Sequence, residues 1–202
     1  METTAQDVIR QAGAALHHLT MKPLGFKKTG NSWHRPRFGV QIIALQLNKW
    51  NTADHASYVL NASVYLPEVA AILGRPAAKK IPREYNAELR RRFSAEPPGE
   101  PEAWWQVARS TDSQAVAQQI KGVVETQALP WLERVTDYPA LAEALAEQGR
   151  TSFAAAAVCH HLAGQPQQAA VCLQCARAWV HPTATPFIDR VARRIGLADP
   201  EC

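Results

Sequence analysis

Two stretches of the chain alternate apolar and polar positions with the period of a β-strand. In Val40–Lys49, Ile43, Leu45 and Leu47 point one way and Ile42, Ala44, Gln46 and Asn48 the other. In Ser57–Leu66, Tyr58, Leu60, Ala62, Val64 and Leu66 share one face, and Ser57, Val59, Asn61, Ser63 and Tyr65 share the other. The short loop from Trp50 to His55 joins them, so the pair is expected to be antiparallel. Asn31–Arg37 reads as a short first strand, with Pro36 placing it at an edge or a turn because proline cannot donate to a ladder. Glu88–Phe93 alternates Leu89, Arg91 and Phe93 against Arg90 and Arg92 and reads as a further strand. The pattern thus predicts an antiparallel sheet of about four strands.

Elsewhere the apolar positions recur at helical spacing. Thr4–Thr20 carries Val8, Ala12, Ala15, Leu16 and Leu19, with Thr4 and Asp7 spaced as a capping box and Pro23 and Gly25 as a stop. His17 and His18 lie near its C-terminal end, where the helix dipole favours positive charge. A short helix is expected from Pro67 to Gly74, and another from about Ser113 to Glu125, with Thr111 or Asp112 as cap. Trp104 and Trp105 lead into that second helix, and Leu129–Leu132 begins the next, ending near Val135. Pro139 opens a helix over Tyr138–Gln148. Residues 151–180 read as a helical hairpin turning at Gly164-Gln165-Pro166, with Thr151 or Ser152 as cap. Phe153, Ala157, Gly164, Ala169, Leu173 and Ala176 sit as in one tetratricopeptide repeat, and a lone repeat must pack on something else. A last helix is expected over Pro186–Ile195. The fold class is α+β: the sheet packs against the N-terminal helix and a C-terminal helical region. An α+β domain is expected over 1–134 and a helical extension over 135–202.

Charge changes the picture along the chain. Residues 1–93 carry 14 Lys and Arg against 6 Asp and Glu, and residues 94–202 carry 8 against 12. The strand-rich part is basic and the helical part acidic, which fits either an acidic partner for the first part or mutual attraction. No apolar run reaches the ~18 residues of a membrane span. The polar, acidic start Met1–Asp7 is unlike a signal peptide, so a cytoplasmic location is expected. Four cysteines, Cys159, Cys172, Cys175 and Cys202, lie in the last quarter.

One constellation is shared with a known family. Leu24-Gly25-Phe26-Lys27-Lys28, Trp33, Leu45-Gln46, Lys49-Trp50, Asn61, Val64-Tyr65, Trp104-Trp105 and Leu129-Pro130-Trp131-Leu132 resemble, in order and spacing, domain-of-unknown-function family 4304. The resemblance spans about residues 5–134. It implies an uncharacterised bacterial-type domain and no catalytic residue.

The chemistry-bearing candidates are few. Cys172-x-x-Cys175, with Cys159, His160 and His161 across the turn, has the composition of a Cys/His metal site. Inside a helix rich in alanine the same cysteines read as small core residues, so no metal and no cofactor are expected. Arg90-Arg91-Arg92 with Lys79, Lys80 and Arg83 is the densest basic stretch, but strand alternation splits the three arginines between faces. No Walker loop, Gly-x-Gly-x-x-Gly, Gly-x-Ser-x-Gly or His-Glu-x-x-His occurs, and no catalytic residue is assigned. The expected binding surface is the polar sheet face with the adjoining loop: Gln46, Asn48, Lys49, Trp50, Asn61, Ser63 and Tyr65, extended by His55. The leading expectation is a non-catalytic protein-binding module. The alternatives are a toxin-neutralising immunity protein and a nucleic-acid-binding protein using the basic N-terminal half.

Overall fold

In the computed structural model, residues 3–78, 80–95 and 103–197 are described. The fold is α+β. The chain divides into two compact units, Met1–Ser63 with Arg90–Glu133, and Val64–Leu89 with Arg134–Cys202. Six strands form one sheet: β1 Lys27–Thr29, β2 Ser32–Arg37, β3 Gly39–Leu47, β4 His55–Tyr65, β5 Leu89–Phe93 and β6 Trp105–Ala108. The order is β1-β2-β3-β4-β5, with β6 also paired to β4.

Two of the six strands were not legible as strands. β1 is three residues long and pairs Lys27 with His34 and Thr29 with Ser32, too short to show any alternation. β6 pairs Trp105 with Tyr58 and His55 with Ala108, so the element opened by the tryptophans is a strand. Pro36 lies beyond the end of β1 and opposite Val40 of β3, where its missing donor faces no partner strand.

In the first unit, helix α1, Ala5–Leu16, starts at the expected capping box. Thr4 N donates to Asp7 Oδ2 at 2.9 Å, and Asp7 N donates to Thr4 Oγ1 at 3.2 Å. Its buried stripe is Val8, Ile9, Ala12, Gly13 and Leu16. At Gly13 the helix passes so close to the sheet that an added Cβ would stand 3.6 Å from Trp33 and 3.8 Å from Leu45. Trp33 is fully buried beneath it. The α-helix does not run to Thr20. It widens into a π-turn over His17–Met21. Helix α3, Ser113–Val123, capped by Asp112, does the same over Val124–Ala128 before α4, Leu129–Glu133. That second widening directly precedes Leu129–Pro130, where proline removes a donor and crowds the preceding turn.

The polar network behind the sheet is anchored on Arg35, which is buried. Its Nε donates to Gln41 Oε1 at 2.8 Å, and its Nη1 donates to Leu24 O at 3.2 Å. Its Nη2 meets Glu133 Oε1 at 3.3 Å, and Gln41 Nε2 donates to Leu132 O at 3.0 Å, tying α4 to the sheet.

In the second unit, α2 covers Pro67–Leu73 and ends at Gly74 with φ +76. Arg194 of α8, Thr185–Arg194, donates to Ile72 O at 2.7 Å, placing a cation at the carbonyl end of α2. Helices α5, Tyr138–Glu147, α6, Phe153–Leu162, and α7, Pro166–Trp179, pack in sequence, α6 and α7 joined by the turn at Gly164. Ser152 makes no side-chain cap. Arg150–Ser152 instead forms a 3₁₀ turn leading into α6.

Candidate functional site

The β3–β4 loop is fixed by its own side chains. Asn48 Oδ1 accepts from Trp50 N at 3.0 Å. Asn51 bridges to β4 in both directions, accepting from Ser57 N at 2.8 Å and donating to Ser57 O at 3.1 Å. Thr52 Oγ1 accepts from His55 N at 3.1 Å, and Thr52 N donates to His55 O at 2.8 Å. Ala5 N and Arg109 N donate to Ala53 O and Asp54 O, at 2.7 and 2.9 Å, holding the loop to α1 and to the end of β6. Short polar side chains that bond to nearby backbone give a turn one conformation. This loop holds Trp50 out into solvent, 77% exposed, with Lys49 Nζ 4.9 Å from the ring centroid.

Next to the loop lies a polar cluster spanning three strands. Asn61 Nδ2 donates to Gln46 Oε1 at 3.0 Å. Arg92 donates from Nε to Asn61 Oδ1 at 3.3 Å and from Nη2 to Gln46 Oε1 at 2.9 Å. Its guanidinium stands 5.9 Å from the centroid of Trp104. Gln46, Arg92 and Trp104 are half-buried.

The expected face therefore divides. Lys49, Trp50 and His55 are exposed, and Gln46 and Asn48 are half-buried. Asn61 and Ser63 are 0% exposed and Tyr65 is buried as well, so the expectation that these three sit on an open face is corrected. β4 is an inner strand with neighbours on both edges, and its residues from Ala56 to Tyr65 are buried on both faces. Tyr65 uses its hydroxyl locally, accepting from Ala78 N at 3.3 Å. Arg92 and Trp104 join Gln46 in the half-buried part of the face. Alternation had placed Arg90 and Arg92 on one side of β5 but could not say which residue on β4 they meet.

The basic stretch does not form one patch. Arg90 is exposed, Arg91 lies 5.3 Å over Phe93, and Arg92 is engaged as described. Lys79 lies outside the described residues.

In the second unit the thiols divide likewise. Cys159 is fully buried, and Cys172 and Cys175 on α7 are half-buried. Burial pushes the Cys159 thiol up, with the negative charge of Glu88 adding to it, and burial also raises Cys172. His160 Nδ1 shares a 2.8 Å hydrogen bond with Gln165 Oε1. Among the described residues no group of three or more His, Cys, Asp and Glu side chains is placed to hold a metal ion. Cys202 lies outside the described residues. Glu88 carries a buried carboxyl whose ordinary range is raised by desolvation against the pull of Arg75, 3.3 Å away.

The sequence profile described as domain of unknown function (DUF4304) matches residues 18–134, and the chain belongs to that family. No curated protein and no solved structure matches the chain. Among the described residues no helix is long and apolar enough to cross a membrane.

Proposed function

We propose that this chain is a non-catalytic, cytoplasmic protein-binding module that engages its partner through Trp50 and Lys49. The observation that carries the reading is Trp50, 77% exposed on a loop pinned by Asn48, Asn51 and Thr52. Exposing a large indole costs hydrophobic free energy, and a loop already ordered loses little entropy on binding. Tryptophan is the residue type most enriched among interface hot spots. Gln46 and Arg92 beside the loop supply oriented polar groups for a rim. A toxin-neutralising role is the special case in which that partner is a toxin.

The test is affinity capture from the native host with the tagged full chain and with Trp50→Ala. The captured protein is identified, purified and returned to both forms. The expected result is direct binding to the parent, lost in a variant that melts like the parent. Equal binding by the two forms would remove Trp50 from the interface.

A further inference from the structure

We propose that His18, Leu19, Lys22 and Lys28 form a second docking surface, specific for an acidic protein segment that carries an apolar residue. It arises from how α1 ends. The π-turn His17–Met21 turns Leu19 outward, leaving it 60% exposed. The chain then reverses: Gly25 N donates to Lys22 O at 3.0 Å and Phe26 N to Met21 O at 3.0 Å, with Gly25 at φ +84. That reversal returns Lys28 of β1, paired with Trp33, to the face of the sheet that α1 covers, while Lys27 points to the other face. The rings of His17 and His18 lie 5.3 Å apart between centroids, tilted by 57°. Burial lowers the His17 imidazole from its ordinary range, and the charges of His18, Lys28 and Lys22 lower it further.

Among the described residues, no carboxylate forms an ion pair with any of these groups. Among the described residues, Lys28 Nζ donates to the Gly30 carbonyl at 2.6 Å and stands over the face of Trp33. Like charges gathered without counter-charges destabilise a fold. Lysines on β1 also shield a sheet edge from adding strands. Shielding accounts for Lys27 and Lys28, but an exposed Leu19 amid the cations works against it. An apolar centre ringed by cations complements a segment with an apolar residue between carboxylates. Single-stranded nucleic acid is less well matched, because Trp33, the ring under Lys28, and Phe26 are both buried and offer no stacking face.

The experiment uses the full chain and a fluorescein-labelled peptide of repeating Glu-Glu-Leu-Glu, followed by fluorescence anisotropy. A labelled oligothymidine and the same peptide with Gln for Glu are run beside it. The parent should bind the acidic peptide, more weakly as salt rises from about 50 to about 200 mM, and bind the Gln peptide far less. Leu19→Ser should weaken binding about tenfold, and Lys22→Glu should weaken it at least as much, with melting unchanged because both side chains are exposed. Trp50→Ala should bind this peptide as the parent does, which separates the surface from the one proposed above. No binding of the acidic peptide, equal binding by the variants, or tighter binding of the oligothymidine would each overturn the proposal.

Discussion

Asn61 and Gln46 are joined by a 3.0 Å hydrogen bond, donated by the Asn61 amide across β4 and β3. Both carbonyl oxygens then receive the Arg92 guanidinium. Asn61 is thus a positioning residue whose amide bonds through both its nitrogen and its oxygen, and it is wholly buried. Removing it leaves the Arg92 Nε without its acceptor. Asn61→Ala should destabilise the chain by about 1–3 kcal/mol. Denaturant melts measure that cost, and a Trp50-dependent partner should still bind the variant at temperatures where it is folded. A silent melt would show that the cluster is dispensable.

Leu60, next along β4, points to the opposite face and is 1% exposed. Truncating a side chain so enclosed removes its contacts and leaves a void. Leu60→Ala should cost about 2–5 kcal/mol, read as a lower denaturation midpoint. A loss below about 0.5 kcal/mol would contradict the burial of that face.

How much of this was readable in the chain follows from periodicity. β3 and β4 were legible because nine or more alternating residues leave little ambiguity. The cap on α1 was legible because Thr4 and Asp7 carry its chemistry locally. β1 and β6 were not, since three or four residues define no period and their pairing is set by partners distant in sequence. Parity put Asn61, Ser63 and Tyr65 on one face correctly, but it carries no information on whether a face is covered. Their burial is a tertiary fact that alternation cannot encode. Trp50 and Lys49 lie at the loop expected between β3 and β4, but the side-chain bonds of Asn48, Asn51 and Thr52 that fix it are not visible in an alternation pattern.

Two titratable groups should move stability in opposite directions with pH. Glu88 has its carboxyl raised above the ordinary value by desolvation. The folded state therefore holds its proton more tightly, and the contribution is present below the unfolded pKa and lost as pH rises through the folded one. His17 is lowered by burial and by neighbouring cations. Its contribution is present above the unfolded pKa and lost as pH falls through the histidine range. Relative to the parent, Glu88→Gln should gain stability as pH rises from about 4 to about 7, since Arg75 is half exposed and loses little. His17→Gln should gain on the parent as pH falls below about 6.5. Melts of the three proteins across pH test both signs, and parallel curves would refute them.

The cysteines supply the last test, because reactivity follows thiolate character and access together. Cys159 is fully buried on α6, and its thiol is pushed up by burial and by the nearby Glu88 charge. Cys172 and Cys175 stand one turn apart on α7 and reach solvent in part. Under native conditions a thiol reagent should label Cys172 and Cys175 and leave Cys159 untouched until denaturant is added, as peptide mass mapping would read it. Packing, and not metal ligation, governs these sites in this reading, so a strong chelator should leave both the labelling pattern and the melting temperature unchanged. If chelation instead sped the labelling of Cys172 and lowered the melting temperature, α6 and α7 would be held by a metal. Native labelling of Cys159 at the rate of its neighbours would show that α6 opens readily.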